Sequence, residues 1–145
     1  MIGAIQNSKK PKFYWRKDMM IFKERRLLNA EEKEIFCNLQ RLCPDHIAVM
    51  AKVKLSEFLL PTREYGTELF YHDFLELNKV TAPFLLFNLR SDKVLAVFYK
   101  GKANGKEELK NANEWLLGCQ INVFEFDSLS EMVVQVSELS PAFFE

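Results

Sequence analysis

The stretch Pro83–Gly101, PFLLFNLRSDKVLAVFYKG, constrains the fold more than any other part of this chain. Two apolar runs, Phe84–Leu89 and Val94–Tyr99, flank the polar turn Arg90-Ser91-Asp92-Lys93, and that pattern predicts a β-hairpin. The apolar positions of both strands carry no carboxylate. A hairpin of this kind needs a sheet around it and helices to cover it, and the flanking sequence supplies both.

Upstream, Asn29-Ala30-Glu31-Glu32 fits a variant capping box. The asparagine accepts from a first-turn amide, and Glu32 at the third helical position reaches back. Ile35, Phe36, Leu39, Leu42 and Cys43 then recur at helical spacing as a buried stripe, and Pro44-Asp45 ends the helix. His46–Lys54 alternates, with Ile47, Val49, Ala51 and Val53 on one face, and reads as a strand. Ser56–Leu60 reads as a short helical turn stopped by Pro61, and Glu68–Leu77 suits a helix. Downstream, Gly101–Gly105 is a loop by composition, and Lys106–Leu117 is helical, burying Leu109, Ala112, Leu116 and Trp115, with Gly118 as its stop. Ile121–Phe126 alternates as a strand, with Ile121 and Val123 opposed to Phe124 and Phe126. Ser128 caps a last helix, Leu129–Leu139, with Glu131 in its first turn. Phe143-Phe144, after Pro141, forms an aromatic tip that either anchors a partner or folds back on the core.

The expected fold class is therefore α/β: a small mixed sheet of about four strands, flanked by helices on both faces. Val94–Phe126 forms a right-handed parallel crossover, and Phe84–Leu89 lies antiparallel beside it. At 145 residues the chain suits one domain, burying roughly 70% of its unfolded surface. The 13 phenylalanines point to a core of large flat side chains.

A formal net charge of zero hides an uneven distribution. Residues 1–26 hold eight Lys/Arg against two Asp/Glu, whereas residues 27–145 hold twelve against eighteen. The chain thus divides into a basic N-terminal arm, 1–26, and a single acidic α/β domain, 27–145. An acidic body is a poor non-specific partner for nucleic acid, but the arm offers the needed cations. Lys9, Lys10, Lys12, Tyr14, Trp15, Arg16, Lys17, Arg25 and Arg26 are the candidate contacts to DNA or RNA, mixing charge with aromatic faces that stack on bases. The same aromatics equally suit docking on their own domain or on a partner subunit. Ile21–Phe22 is expected to dock as a short strand.

Three cysteines, Cys37, Cys43 and Cys119, form no Cys-x-x-Cys pair, and neither histidine lies near a cysteine at ligand spacing. Reduced thiols, no metal and no cofactor are expected. No apolar run approaches the roughly 18–20 residues that span a bilayer. MIGAIQNSKK places its charges after a five-residue apolar start, unlike a signal peptide, so a cytoplasmic location is expected. Cys43 and His46 make a weak nucleophile pair, because nothing orients the histidine. GKANGK lacks the spacing of a phosphate-binding loop.

Five strings, LLNAEEKEIFCNL (27–39), VMAKVKLSEFL (49–59), PFLLFN (83–88), KVLAVFYKG (93–101) and GCQINVFEF (118–126), resemble a bacterial domain family of unknown function placed in the restriction-endonuclease-like, PD-(D/E)XK superfamily. The resemblance covers about residues 27–127. It implies a fold that elsewhere carries metal-binding carboxylates on the two hairpin strands. Matched residue by residue, the family's first strand carboxylate falls on Pro83 and its second-strand glutamate on Tyr99, followed by Lys100-Gly101. Glu32 matches the family's first-helix glutamate. A one-residue slip would put Phe98 at the glutamate position and Lys100 at the lysine position, again without a carboxylate.

A magnesium-dependent phosphodiesterase needs at least two converging oxygen ligands. Proline offers none and a neutral phenol is a poor one. The resemblance thus implies a nuclease-type fold with a degenerate site that acts as a binding module, for nucleic acid or for a protein partner. The alternatives are a metal nuclease whose ligands have moved to Asp92, Glu107, Glu108, Glu125 or Asp127, and a structural subunit of a homodimer or larger assembly.

Overall fold

In the computed structural model, residues 21–101 and 107–145 are described; most of the basic arm, including Lys9, Lys10, Lys12, Tyr14, Trp15, Arg16 and Lys17, lies outside them. Helix α1 (Ala30–Leu42) begins with both halves of the capping box: Asn29 Oδ1 accepts from the Glu32 amide at 2.8 Å, and Glu32 Oε1 accepts from the Asn29 amide at 2.8 Å. Strand β1 (Ile47–Lys54) runs into a 3-10 turn at Leu55–Glu57, slightly earlier than the helical turn expected at Ser56–Leu60. Helix α2 (Glu68–Asn78) follows, capped by Thr67, and then the hairpin, β2 (Thr81–Asn88) and β3 (Lys93–Lys100). Helix α3 (Glu107–Gly118), β4 (Asn122–Phe126) and α4 (Leu129–Ser137) complete the order, with a 3-10 turn at Pro141–Phe144.

The sheet has the order β1-β2-β3-β4. β1, β2 and β3 form an antiparallel meander, and β4 joins β3 in parallel after α3. This is the mixed four-stranded sheet expected from the hairpin and the crossover. Alternation divides its residues between two cores. On one face Ile47, Val49, Phe84, Leu86, Ala96 and Phe98 meet α1 and α4. On the other Leu85, Val97, Tyr99, Ala112 and Leu116 meet with Leu55 and Leu77. The rings of Phe98 and Phe124 stack at 4.8 Å, which puts two of the phenylalanines at the centre of the first core. Burying each such side chain stabilises the fold by roughly 1.5–3 kcal/mol.

Two irregularities shape the sheet. The β2–β3 register shifts between Leu86 and Phe87, leaving Leu95 as the extra residue of a bulge. In β1, Lys52 takes a left-handed conformation (φ 58°), which a side chain disfavours. The neighbours Ala51 and Val53 consequently pack into different cores although they are two residues apart. The strict alternation expected over Ile47–Val53 holds only as far as Ala51.

The structure also corrects several local expectations. Ile21–Phe22 forms no strand; both side chains are more than four-fifths exposed. The last helix ends at Ser137, two residues short of Leu139, and Trp115 stays at the surface. Of the two placements open to Phe143-Phe144, the structure takes the fold-back: Phe144 is buried against the first core, and its carbonyl accepts from Asn88 Nδ2 at 3.2 Å and from His46 Nε2. Gly118 is the final residue of α3 and not its left-handed stop. Gln120 plays that part (φ 64°), with its amide donating to Leu117 O and the Ile121 amide donating to Leu116 O. That is a Schellman ending, sealed by apolar contact between Ile121 and Leu116 in the second core.

A glycine at position 120 would adopt this geometry without strain. Gln120→Gly is expected to raise stability by about 1 kcal/mol in urea unfolding. Phe144→Ala is expected to cost about 3–5 kcal/mol, read by the same measurement, because it empties the end of the first core.

Candidate functional site

The first turn of α1 is acidic, as favours a helix N-terminus, and the sheet brings two lysines to it. Lys100, the last residue of β3, puts Nζ 2.6 Å from Glu31 Oε2. Lys52 puts Nζ 3.5 Å from Glu32 Oε1 and donates to the Leu27 carbonyl. Its left-handed backbone lies where the sheet faces exchange, so the strain at Lys52 accompanies the placement of its ammonium group. Glu32 titrates below the usual carboxylate range, chiefly because it accepts from the Asn29 amide, with Lys52 adding a smaller effect. A cleft of about 400 Å³ opens beside this cluster, between the starts of α1 and α4. Its walls are Ile35, Phe126 and Leu129, with Glu31, Glu34 and Lys100 lining it too.

The residues expected to mark the degenerate site are only partly brought together. Glu32 and Lys100 both face the α1 side, through the pairs just described. Tyr99 points the other way, into the second core, where burial first and the nearby Glu125 second push its phenol pKa up. Its hydroxyl is buried and has no hydrogen-bond partner among the described residues. Pro83 is half-buried in β2; carrying the Phe84–Phe98 register one step further sets it across from Tyr99. Tyr99 therefore shares no surface with Glu32. The hairpin residues on the face toward α1 and α4 are Phe84, Leu86, Ala96 and Phe98, none more than 3% exposed. The slipped match, with Phe98 and Lys100 at the two positions, is the one whose side chains share a face.

Those four side chains are hydrocarbon, so among the described residues the buried face of the hairpin beneath α1 and α4 offers no side-chain oxygen to a cation. Among the described residues no group of three or more His, Cys, Asp or Glu is placed to hold a metal ion. Asp92 sits in the hairpin turn with its amide bonded to Asn88 O at 2.8 Å, at the opposite end of β3 from Lys100. Glu125 lies beside Tyr99 on the parallel pair, and Asp127 is exposed past the end of β4. The side chains of Glu107 and Glu108 lie outside the described residues.

Nucleophilic chemistry finds no better footing. Burial pushes the Cys43 thiol up to about 11, which keeps it protonated at neutral pH. His46 Nε2 must carry a proton, because its partner, the Phe144 carbonyl, can only accept. Arg25 and Arg26, the described part of the basic arm among the candidate contacts, are exposed and irregular just before α1.

A family model described as protein of unknown function (DUF2726) matches residues 24–119. The chain belongs to that family. The matched segment runs from the end of the arm through α3 and contains both lysine–glutamate pairs; β4 and α4 lie beyond it. No curated protein and no solved structure matches the chain. No helix among the described residues is long and apolar enough to cross a membrane.

Sequence reasoning singled out Glu32 and Lys100 but passed over Lys52 and Glu31. Lys52 reads in sequence as one more outward residue of an alternating strand. Nothing in the spacing announces a partner 20 residues upstream.

The capping box and the Lys52 pair make a pH prediction. A carboxylate whose folded pKa is lowered adds stability that is present above its ordinary unfolded pKa and is lost as pH falls through the lower folded value. Glu32→Gln, which keeps an oxygen for the Asn29 amide, is expected to unfold at lower urea than the parent at pH 7. The gap should close as the pH drops below that of the native carboxylate. Asn29→Ala removes the cap itself and is expected to cost about 1 kcal/mol at both ends of the range.

Proposed function

We propose that this chain is a non-catalytic binding module built on a restriction-endonuclease-like core, and that it engages nucleic acid through its basic arm. The observation that carries the non-catalytic half is the pairing beneath α1: Phe84 and Phe98 occupy the hairpin positions facing the helix, while Glu31 and Glu32 are held by Lys100 and Lys52. A phosphodiesterase metal requires converging anionic oxygens. Here Glu31 and Glu32 each have a lysine partner, and the buried hairpin positions have no side-chain oxygen to add.

The nucleic-acid half rests on charge. The folded body is acidic and the arm holds the excess of lysine and arginine, interleaved with Phe13, Tyr14 and Trp15. Phosphate contacts come from the cations and sequence-tolerant stacking from the rings. Arg25 and Arg26, exposed at the arm's end, place part of this charge next to the domain.

The two halves are tested separately. The melting temperature of the full chain is expected to be the same in millimolar magnesium or manganese as in chelator. A metal bound at a hundredfold its dissociation constant would add about 2.7 kcal/mol, so a clear upward shift would defeat the non-catalytic reading. Binding to single-stranded oligonucleotides is expected to weaken steeply with salt, with a log–log slope of roughly −0.7 per phosphate contacted. Replacing Lys9, Lys10, Lys12, Arg16 and Lys17 by serine should flatten that slope and reduce affinity at least tenfold. Undiminished binding by this variant would remove the arm from the proposal.

A further inference from the structure

Lys52 and Pro83 stand opposite each other on β1 and β2, and each breaks a rule of the sheet. The register pairs Ala51 with Phe84 and Val53 with Ala82, which leaves Lys52 and Pro83 as the position between them where no pair forms. Gln40 bonds to Ile47 O and to the Val49 amide from outside the sheet, so these alternate residues turn their peptide groups outward. The residues between them turn theirs toward β2. A regular ladder would therefore bring an N–H from position 83 to the Lys52 carbonyl, and proline has none to give. Proline is ordinarily kept to edge strands and bulges, whereas β2 lies between β1 and β3. The irregularity falls on Lys52, which takes its left-handed conformation (φ 58°) where no bond from Pro83 holds it in the ladder.

That rotation decides where one ammonium group goes. Met50, paired with Leu85 of the second core, marks the face opposite α1, and regular alternation would turn Lys52 the same way. Instead Lys52 reaches the start of α1, where Nζ donates to Leu27 O and lies 3.5 Å from Glu32 Oε1. Glu32 also accepts from the Asn29 amide at 2.8 Å, so the arm's end, the helix cap and β1 meet in one junction. Upstream, residues 21–26 are exposed and form neither helix nor strand. Among the described residues, the bond from Lys52 to Leu27 is the one hydrogen bond that ties residues 21–28 to the domain.

We propose, on the reading that the arm binds nucleic acid, that Lys52 is a latch on the arm's root: it fixes Leu27 against β1 and so positions the arm without itself touching the nucleic acid. A backbone outlier is kept where it holds a group in a place that the relaxed strand cannot reach. Fixing the root in advance removes freedom that binding would otherwise have to remove, so affinity rises with no added contact.

Three variants of the full chain test the latch. Lys52→Met removes the ammonium and keeps most of the stem, Lys52→Arg keeps a donor for Leu27 O, and Lys54→Met removes the same charge from an exposed position two residues along. Trypsin cleavage of the Arg26–Leu27 bond, measured against cleavage at Lys12–Phe13, reads the root directly. Lys52→Met is expected to speed it about fivefold with far-UV circular dichroism unchanged, and the other two variants to leave it as in the parent. Binding of fluorescein-labelled oligothymidylate should weaken about fivefold in Lys52→Met alone, with the parent's salt slope. Unchanged cleavage in Lys52→Met would overturn the latch. Undiminished affinity, or equal weakening in Lys54→Met, would overturn the positioning role. So would a slope shallower by about 0.7, which would make Lys52 a phosphate contact. A parent that binds no oligonucleotide would defeat arm-mediated binding, and positioning with it, while the cleavage rate still decides the latch.

Discussion

Asn88 is the fully buried polar side chain on which the hairpin end of the molecule depends. Its Oδ1 accepts from the Arg90 and Ser91 amides at 2.9 and 3.2 Å, and its backbone carbonyl accepts from Asp92 at 2.8 Å. These bonds fold the turn and let Asp92 take its left-handed conformation (φ 58°). On the same residue, Nδ2 donates to Phe144, which pins the last 3-10 turn over the first core. One amide therefore closes β2, starts β3 and fastens a segment 56 residues away in sequence. The adjacent Leu89 amide bonds to His46 O, extending the junction to the start of β1. An apolar replacement would take from the part-buried Arg90 and Ser91 amides the acceptor that folds the turn, and from Phe144 O one of its two donors. That cost explains an amide at a position which alternation alone would assign to a hydrophobe.

The same economy of carboxamides governs the edges of the sheet. An open edge strand exposes amides and carbonyls to any passing chain. At β1, Gln40 from α1 donates to Ile47 O at 3.2 Å and accepts from the Val49 amide at 3.3 Å, standing in for a neighbouring peptide group. At β4, Gln135 from α4 donates to Glu125 O at 2.8 Å. The helices thus cover the first core and also occupy hydrogen-bonding positions at both edges. Strand addition is the less accessible route for a partner. Among the described residues, the cleft between the starts of α1 and α4 and the groove along α2 and α3 are concave surfaces away from those edges.

Much of this was readable in the chain, and the divide follows the range of the forces. Caps and turns are local: Asn29 with Glu32, Ser128 with Glu131, and the hairpin turn all lie where their residue types place them. Strand faces follow from period two wherever the backbone is regular, as in Ile121–Phe126. The failures are tertiary. Lys52 adopts a left-handed conformation that no local signal demands, and that single residue shifts Val53 to the other core. Gly118 has the composition of a helix stop, but the Schellman bonds form two residues later, where Ile121 can reach Leu116. Phe143-Phe144 folds back because Asn88 and His46 wait for a carbonyl, a pairing across most of the domain. The site showed the same split. Glu32 and Lys100 could be picked out on the sequence, whereas the face shared by Phe98 and Lys100 required the sheet.

The lysine–glutamate pairs also account for how an acidic helix start is accommodated above an apolar sheet face. Negative side chains suit the positive end of the helix dipole, but Glu31, Glu32 and Glu34 crowd one turn. Lys100 and Lys52 relieve that repulsion from the two strands that flank β2. Each does so at the surface, where desolvation is small, and neither requires the strand residues between them to be polar. Phe84 and Phe98 can then be completely apolar, and Phe98 stacks on Phe124. Placing a carboxylate at position 98 would reverse every part of that arrangement. It would bury an anion in the first core, remove the ring that stacks on Phe124, and add a further acid near a turn that already holds Glu31, Glu32 and Glu34. A single substitution therefore cannot make a metal site here: the core beneath α1 and the charges above it are fitted to each other.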